Sequence, residues 1–487
     1  MKSKAKYFSR KIGLVMNTLG VVQVIPLLMS LLTNEARSIT FGYVFSALLT
    51  FVLGLIFIKF GNNSAFKPDK WSGLVLAALV TLFLLLPTSL PYLLILKLEL
   101  FQAVFEATSG LTTTGLTVLK DLSQIPDSLL MYRALTQWFG GAIFLTFFVL
   151  VGFRSEDQFL LGYSNTINML KLPRQISSLH KGVLVFIFLY IIFTIVEIIW
   201  YLLMGVPAFE SFAHSFTTVS SGGFSTFDNG FINGMGFSGI KEKLLIFSYS
   251  SFMLLSGIGY FLYVKAVSLD FKTVYKNNEL RIYLMLIVLT TLLILALSSI
   301  NQPIQNTSFE DSLLFVIGSL SSVGMYQTSV YLSTEIVFVL LVLIAIGGMI
   351  GSTSGGLKIN RVRVVIRSVK YEADHIFKPS QVVSTLKLDG KSVDGKVVLK
   401  LITLIFAWFI IALGSWLLIS IATELDGSDV TKSVISALAN GGFIDSGWID
   451  FGKMNPFALL IYTFIMIVGR LEIYPILVLF HLKAWKY

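Results

Sequence analysis

Apolar runs of membrane-crossing length recur along this chain, separated by short polar or basic stretches. They lie near 12–33, 39–59, 72–95, 132–152, 182–204, 244–264, 282–300, 336–356, 399–422 and 456–481. A helix needs about 20 mostly apolar residues to cross a bilayer, so the pattern predicts ten transmembrane helices and an all-α integral membrane fold. The segments between alternate runs are too short and too apolar for ordinary loops. Aligned with one another, they reveal an internal repeat.

The four repeat cores are Leu111-Thr112-Thr113-Thr114-Gly115-Leu116, Val219-Ser220-Ser221-Gly222-Gly223-Phe224, Leu320-Ser321-Ser322-Val323-Gly324-Met325 and Leu438-Ala439-Asn440-Gly441-Gly442-Phe443. Each reads aliphatic, three small or polar residues (Val323 is the exception), glycine, large apolar residue. The glycines are spaced 108, 101 and 118 residues apart. Short helices are predicted before each core, at 102–110, 209–218, 310–319 and 430–437. The unit is helix, re-entrant loop, helix, four times over. In loop 4, Gly441 competes with Gly442 for the register; Gly442 is preferred because Phe443 then matches Leu116, Phe224 and Met325.

Such a unit has a physical logic. Non-helical backbone at membrane depth survives only if it is buried in protein or lines a watery cavity. Four copies around one axis aim rings of backbone carbonyls inward to replace the hydration shell of a cation. Glycine accepts positive φ there, and Ser and Thr hydroxyls add oxygen ligands. The preceding helices present their negative ends to the ion. The alternative for a single copy is small-residue packing between helices; four in-register copies between spans favour a pore.

Composition agrees. Charged residues are 13% and hydrophobic residues 55%, with mean hydropathy +0.81, whereas a soluble domain carries roughly 25% charged residues. The absence of Cys removes disulfides, thiol catalysis and iron–sulfur ligation. The four His (His180, His214, His375, His481) are too scattered for an obvious metal site. No catalytic Ser/His pair, HExxH or Asp-rich motif points to a membrane enzyme, and none to an organic cofactor.

The net charge of +10 is explained by orientation rather than by nucleic acid. With the N-terminus inside, the cytoplasmic pieces hold 28 of the 37 Lys and Arg. This fits the positive-inside rule with both termini cytoplasmic. The basic start, MKSKAKYFSRK, is followed by no small-residue cleavage site and reads as a retained tail.

The four loops, with the run Gly347-Gly348-Met349-Ile350-Gly351-Ser352-Thr353-Ser354-Gly355-Gly356-Leu357-Lys358, resemble the TrkH branch of the Trk/Ktr/HKT superfamily of potassium transporters. Gln137-Trp138-Phe139-Gly140-Gly141, Asn278-Glu279-Leu280-Arg281 and Gly469-Arg470-Leu471-Glu472 add to the likeness. It covers about residues 70–487 in detail and the rest by topology. The resemblance implies an N-terminal helix pair at 1–70 and four pore repeats at 71–152, 153–264, 265–398 and 399–487. It implies K⁺ as the transported ion and a filter made by residues 112–115, 220–223, 321–324 and 439–442. Four filter glycines imply K⁺ preference, since Na⁺-selective relatives carry Ser at the first. Val323 in loop 3 and Ala439-Asn440 in loop 4 depart from the Thr-rich pattern and leave a Na⁺ or mixed K⁺/Na⁺ pathway as the alternative. The resemblance further implies a bacterial cell-membrane location, a homodimer, and a ring-forming cytosolic nucleotide-binding regulatory subunit of the TrkA type.

The five glycines and three hydroxyls of 347–356 predict a break in the helix, since each interior Gly costs roughly 1 kcal/mol relative to Ala. The resemblance makes this segment (Gly347, Gly348, Gly351, Ser352, Thr353, Ser354, Gly355, Gly356) the intramembrane gate; a close-packed helix interface is the other reading. Arg470, mid-span, is expected to face the cavity below the filter and touch the gate segment, with a structural ion pair as the alternative. Glu197 is a lone intramembrane acid, open to a structural hydrogen bond or an ion-path role. His214 reads as a satisfied pore-helix residue. The basic segment 357–400 is either a solvated face near lipid headgroups or a docking surface for a regulatory subunit.

Overall fold

The computed structural model describes residues 2–62, 66, 72–154, 179–300, 308–324, 332–377, 386–442 and 449–481. Met325, Phe443 and the stretches 155–178 and 482–487 lie outside the described residues. The chain is almost wholly helical; a two-stranded hairpin, Lys387–Leu388 with Lys391–Ser392, is the strand structure among the described residues.

Among the described residues six helices are long and apolar enough to cross a membrane: Ser3–Leu32, Arg37–Phe60, Ser72–Ile95, Lys181–Leu203, Asn278–Ile300 and Gly395–Ala422. Asp127–Arg154 adds a seventh long helix with charges at both ends, and Thr334–Ile346 is a shorter apolar one. The first two pack as a hairpin whose contact is set by small residues: a Cβ on Gly13 would run into Gly54 O, and one on Gly54 into the Asn17 amide. Close backbone approach of this kind is how helices associate where lipid removes the hydrophobic drive. Ser72–Ile95 contains Pro91, which cannot donate to Pro87 O; Gln23 Nε2 from the first helix takes up that carbonyl at 3.0 Å. Proline is tolerated in a span when neighbours satisfy the freed carbonyl.

Two expected spans are not continuous. The run at 244–264 is a helix, Ile240–Ser256, that turns by 97° into Tyr260–Val267. The run at 456–481 is Pro456–Arg470 followed, after a 108° bend, by Tyr474–Phe480. Hydropathy sees only the uninterrupted apolar composition. The first break is stabilised from outside: Gly257 O accepts from Met349 N at 2.9 Å, and Tyr260 N donates to Gly351 O at 2.9 Å. In the second, Glu472 (φ 61) and Ile473 (φ 66) reverse the chain, and Glu472 pairs with Arg361 at 2.6 Å. The expected break after Ile346 is present, with helix resuming at Ile359–Ile376.

Four short helices, Leu100–Leu111, Ala208–Val219, Phe309–Leu320 and Gly427–Leu438, are each 12 residues long. Each sits between longer helices and ends at the first residue of a repeat core. This is the helix, re-entrant loop, helix unit, repeated four times about one axis.

Candidate functional site

The four loops share one backbone conformation. Thr112, Ser220, Ser321 and Ala439 cap the C-termini of the short helices. The next residues, Thr113 (φ 51), Ser221 (φ 56), Ser322 (φ 55) and Asn440 (φ 51), are left-handed although none is glycine. This follows from Schellman-type closure, in which the N–H two residues past the cap reaches back to a carbonyl of the last turn. Thr114 N bonds Ser109 O, Gly222 N bonds Thr217 O and Gly441 N bonds Ser436 O, at 2.8–2.9 Å; in loop 3 Gly324 N reaches Gly318 O at 3.2 Å. The fourth residues, Gly115, Gly223, Gly324 and Gly442, all have positive φ. Gly441 does not, so Gly442 is the loop 4 counterpart of Gly115.

The glycines also close a ring. A Cβ on Gly115 would fall within 3.0 Å of Gly222 O, one on Gly223 against Val323 O, one on Gly324 against Gly441 O, and one on Gly442 against Thr114 O. Each loop therefore abuts the next in the order one, two, three, four and back to one. The groups gathered there are peptide carbonyls and small hydroxyls, the donor set that suits an alkali cation. Among the described residues no cluster of three or more His, Asp or Glu offers a metal site.

Side chains set the loops in place. Gln137 donates from Nε2 to Gly222 O (2.8 Å) and accepts from Phe224 N (3.0 Å), bracketing Gly223. Asn440 Nδ2 donates to Thr114 Oγ1 (2.9 Å) and Met466 O (2.8 Å), tying loop 4 to loop 1 and to its own following helix. Gly140 and Gly469 let the following helices touch the ends of the short helices: a Cβ on either would meet Leu111 O or Leu438 O. These contacts explain why Gln137-Trp138-Phe139-Gly140-Gly141 and Gly469-Arg470 stood out in the sequence.

The 347–358 segment lies against the helix-proximal ends of three loops. Thr353 Oγ1 donates to Val219 O (3.0 Å) and shares a hydrogen bond with Ser221 Oγ (2.8 Å). Gly355 N donates to Ser322 Oγ, and Gly356 N to Ala439 O (2.9 Å). Ser352 and Ser354 bond each other at 2.6 Å, and Gly348 N bonds Ser354 Oγ at 3.2 Å. Gly347, Gly351 and Gly356 have positive φ, so this run cannot be rewound into helix by closer packing alone. Arg470 Nη1 donates to Thr353 O at 2.8 Å, and its guanidinium lies 4.1 Å from the centre of the Phe144 ring. Arg470 and Thr112 also line one small cavity of about 60 Å³ with Phe144 and Phe147.

Several participants were not legible in the sequence. Buried Lys358 donates to Ser354 O and, at 3.1 Å, to Ser354 Oγ. Glu279 Oε1 accepts from Ile350 N at 2.8 Å. Arg133 and Glu106 form a fully buried ion pair at 2.9 Å. The quoted runs held Glu279 and Lys358 without a role for either, and nothing pointed to Glu106 or Arg133. Glu197 accepts a hydrogen bond from Tyr201 at 2.9 Å. His214 is satisfied by Glu210 O (3.0 Å) and Ser225 Oγ (3.3 Å) and stacks on Phe231 at 3.9 Å.

Fold and site together define a polytopic membrane protein built from four re-entrant pore-loop repeats, the architecture of a cation transport protein. Residues 81–487 match the family model TrkH, described as cation transport protein, and the chain belongs to that family. It is 26% identical over 492 residues to the Trk system potassium uptake protein TrkH of Vibrio parahaemolyticus serotype O3:K6, covering 98% of each chain. The protein of the same description from Escherichia coli K12 is 28% identical over 409 residues, 80% of each. An uncharacterized cation transporter of Methanocaldococcus jannaschii is 27% identical over 485 residues, covering 98% of this chain and 95% of its own. The crystal structure of the potassium transporter TrkH from Vibrio parahaemolyticus shares the fold, with a TM-score of 0.85, 24% identity and 99% coverage of both chains.

Proposed function

We propose that this chain is the membrane-embedded K⁺-translocating subunit of a Trk-type uptake system. The observation that carries this reading is the closed ring in which each of Gly115, Gly223, Gly324 and Gly442 abuts a carbonyl of the next loop. Residues 112–115, 220–223, 321–324 and 439–442 form the selectivity filter, with carbonyls and hydroxyls replacing the ion's water. Residues 347–356 gate it from below, and Arg470 holds that segment. The domain division at 1–70, 71–152, 153–264, 265–398 and 399–487 assigns one filter loop to each repeat after the N-terminal pair.

The relatives named for a Trk system support association with further Trk components; the partner in this reading is a cytosolic ring-forming subunit of the TrkA type, with the basic segment 357–400 as its docking surface. A homodimer in a bacterial cell membrane, with both termini cytoplasmic, completes the reading. The chain does no covalent chemistry of its own. Val323 lacks the hydroxyl that Thr114 supplies in loop 1, and Ala439 lacks the hydroxyl of Thr112 and Ser220, which favours mixed K⁺/Na⁺ passage as the second reading. Expression in K⁺-uptake-deficient cells at low external K⁺, with Rb⁺ flux measured against Na⁺ in proteoliposomes, tests both. Growth rescue with Rb⁺ flux far above Na⁺ flux is expected; equal fluxes favour the mixed pathway, and no flux of either ion overturns the proposal.

A further inference from the structure

The filter is held differently on its two sides. Loops 2, 3 and 4 rest on the 347–358 segment at their helix-proximal ends. Loop 1 and the outgoing limb of loop 2 are gripped at the opposite end, beyond the filter glycines, by the Glu106–Arg133 pair. Arg133 is 2% exposed and Glu106 0%. Glu106 accepts from Thr117 Oγ1 with both oxygens at 3.0 Å and from Val118 N at 3.0 Å, so it fixes the limb that leaves Gly115. Arg133 spends its donors on three partners: Glu106 Oε1 (2.9 Å), Thr117 Oγ1 (3.1 Å) and Ser225 O (3.2 Å). Its guanidinium also lies 4.2 Å from the centre of the Phe224 ring, next to Gly223. Two filter limbs more than 100 residues apart in sequence are thus fastened to one planar cation.

The other repeats fill the same place with something else. Glu106 stands nine residues before Gly115; nine residues before Gly223, Gly324 and Gly442 stand His214, Phe315 and Ser433. His214 Nε2 meets Ser225 Oγ, so the loop 2 limb is held from both flanks, while Ser433 bonds Tyr462 at 2.6 Å. Among these four positions the carboxylate is found at the junction of loops 1 and 2. A buried ion pair is costly to desolvate and is weak evidence for stability, whereas a planar five-donor fork is well suited to fixing geometry.

We infer that Glu106 and Arg133 are positioning residues for ion selectivity: they set the spacing of loops 1 and 2 at the end of the filter opposite the 347–358 segment without touching the ion. The inference rests on the filter reading above. A carbonyl ring discriminates K⁺ from Na⁺ only if its oxygens cannot collapse onto the smaller ion; the bonds of the 347–358 segment described above reach loops 2, 3 and 4, and those of the Glu106–Arg133 pair reach loops 1 and 2.

Removing Glu106 alone would strand a buried cation, so the informative variant is Arg133→Lys, which keeps the pairing with Glu106 but cannot reach Thr117 and Ser225 together. Thr117→Val, which keeps the ion pair and deletes the bridging hydroxyl, is the second variant. Both are measured in proteoliposomes for Rb⁺ and Na⁺ flux per molecule and for thermal stability, with Gly115→Ser as the filter control. A fall in the Rb⁺/Na⁺ ratio of about fivefold or more is expected for Arg133→Lys, the scale of losing hydrogen bonds to a charged group, and a smaller fall for Thr117→Val. An unchanged ratio in both, while Gly115→Ser lowers it, overturns the positioning role and leaves the filter assignment standing. An unchanged ratio in all three overturns the filter assignment itself. Lower stability with an unchanged ratio shows the pair to be structural only, and also overturns the inference.

Discussion

Arg470 Nη1 donates to the backbone carbonyl of Thr353 at 2.8 Å, joining the end of the last long helix to the middle of the broken segment 117 residues away. Thr353 in turn bonds Ser221 and Val219 O. One guanidinium therefore couples the helix Pro456–Arg470 to the segment beneath loop 2. A charge in lipid is expensive, and here it is spent on a carbonyl and an aromatic face rather than on an acidic partner in the same helix.

Neutralising that group should free the segment. A hydrogen bond to a charged group contributes about 1.5–3 kcal/mol, so Arg470→Gln is expected to raise Rb⁺ uptake per molecule about tenfold or to abolish its regulation. Uptake per protein and thermal stability are measured together. A destabilised variant with normal flux per molecule would show Arg470 to be structural.

The ring contact at Gly223 is the tightest of the four, since its Cβ would overlap Val323 O. Gly223→Ala adds that overlap to a left-handed strain of about 1–2 kcal/mol. The Rb⁺/Na⁺ flux ratio should fall about tenfold. Gly236→Ala carries the same kind of φ strain (φ +60) with nothing within 4 Å of the new Cβ and should leave the ratio alone. Equal behaviour of the two variants would dissolve the filter assignment.

Deleting 350–355 removes Thr353 and Gly355, two of the three residues described as bonding the loops, and the Arg470 acceptor. Because the segment lies across the ends of loops 2, 3 and 4, flux should rise by about an order of magnitude, the scale set by roughly 1.4 kcal/mol per tenfold, while surface expression stays normal. A fall in flux would make the segment a required conduit, and unchanged flux would remove it from the gating mechanism.

Glu197 is fully buried and accepts from Tyr201 Oη. Glu197→Gln keeps an acceptor for that hydroxyl and removes any charge from the ion path. Flux within about twofold of the parent is expected, with a stability change no larger than one ordinary hydrogen bond, about 1 kcal/mol. A large drop in Rb⁺ flux at unchanged stability would instead give Glu197 a place on the pathway.

The short helices and the break after Ile346 could be read from the chain because both depend on neighbours in sequence. Leu111, Val219, Leu320 and Leu438 each precede a run of small residues ending in glycine, which marks where the short helices stop, and five glycines in ten residues cannot sustain a helix. The left-handed residues Thr113, Ser221, Ser322 and Asn440 were not legible, since their identities do not advertise positive φ; the Schellman closure imposes it. The bend at Gly257–Gly259 was hidden inside an apolar run. Its exposed peptide groups are satisfied by Met349 and Gly351, about 90 residues further on. Arg133, at the head of an apolar run, gave no hint of a buried partner 27 residues earlier.

The amino-acid sequence by itself determined that this chain lives in a membrane, that it repeats one helix, loop, helix unit four times, and that one helix is broken. Hydropathy and backbone preference are local properties, so they are written in consecutive residues. The tertiary structure alone decided the cyclic order of the loops, the choice of Thr353 O as the acceptor for Arg470 and the Glu106–Arg133 grip. Each depends on groups brought together from separate helices, where an unpaired carbonyl or charge in a medium without water must find whatever partner the packing supplies.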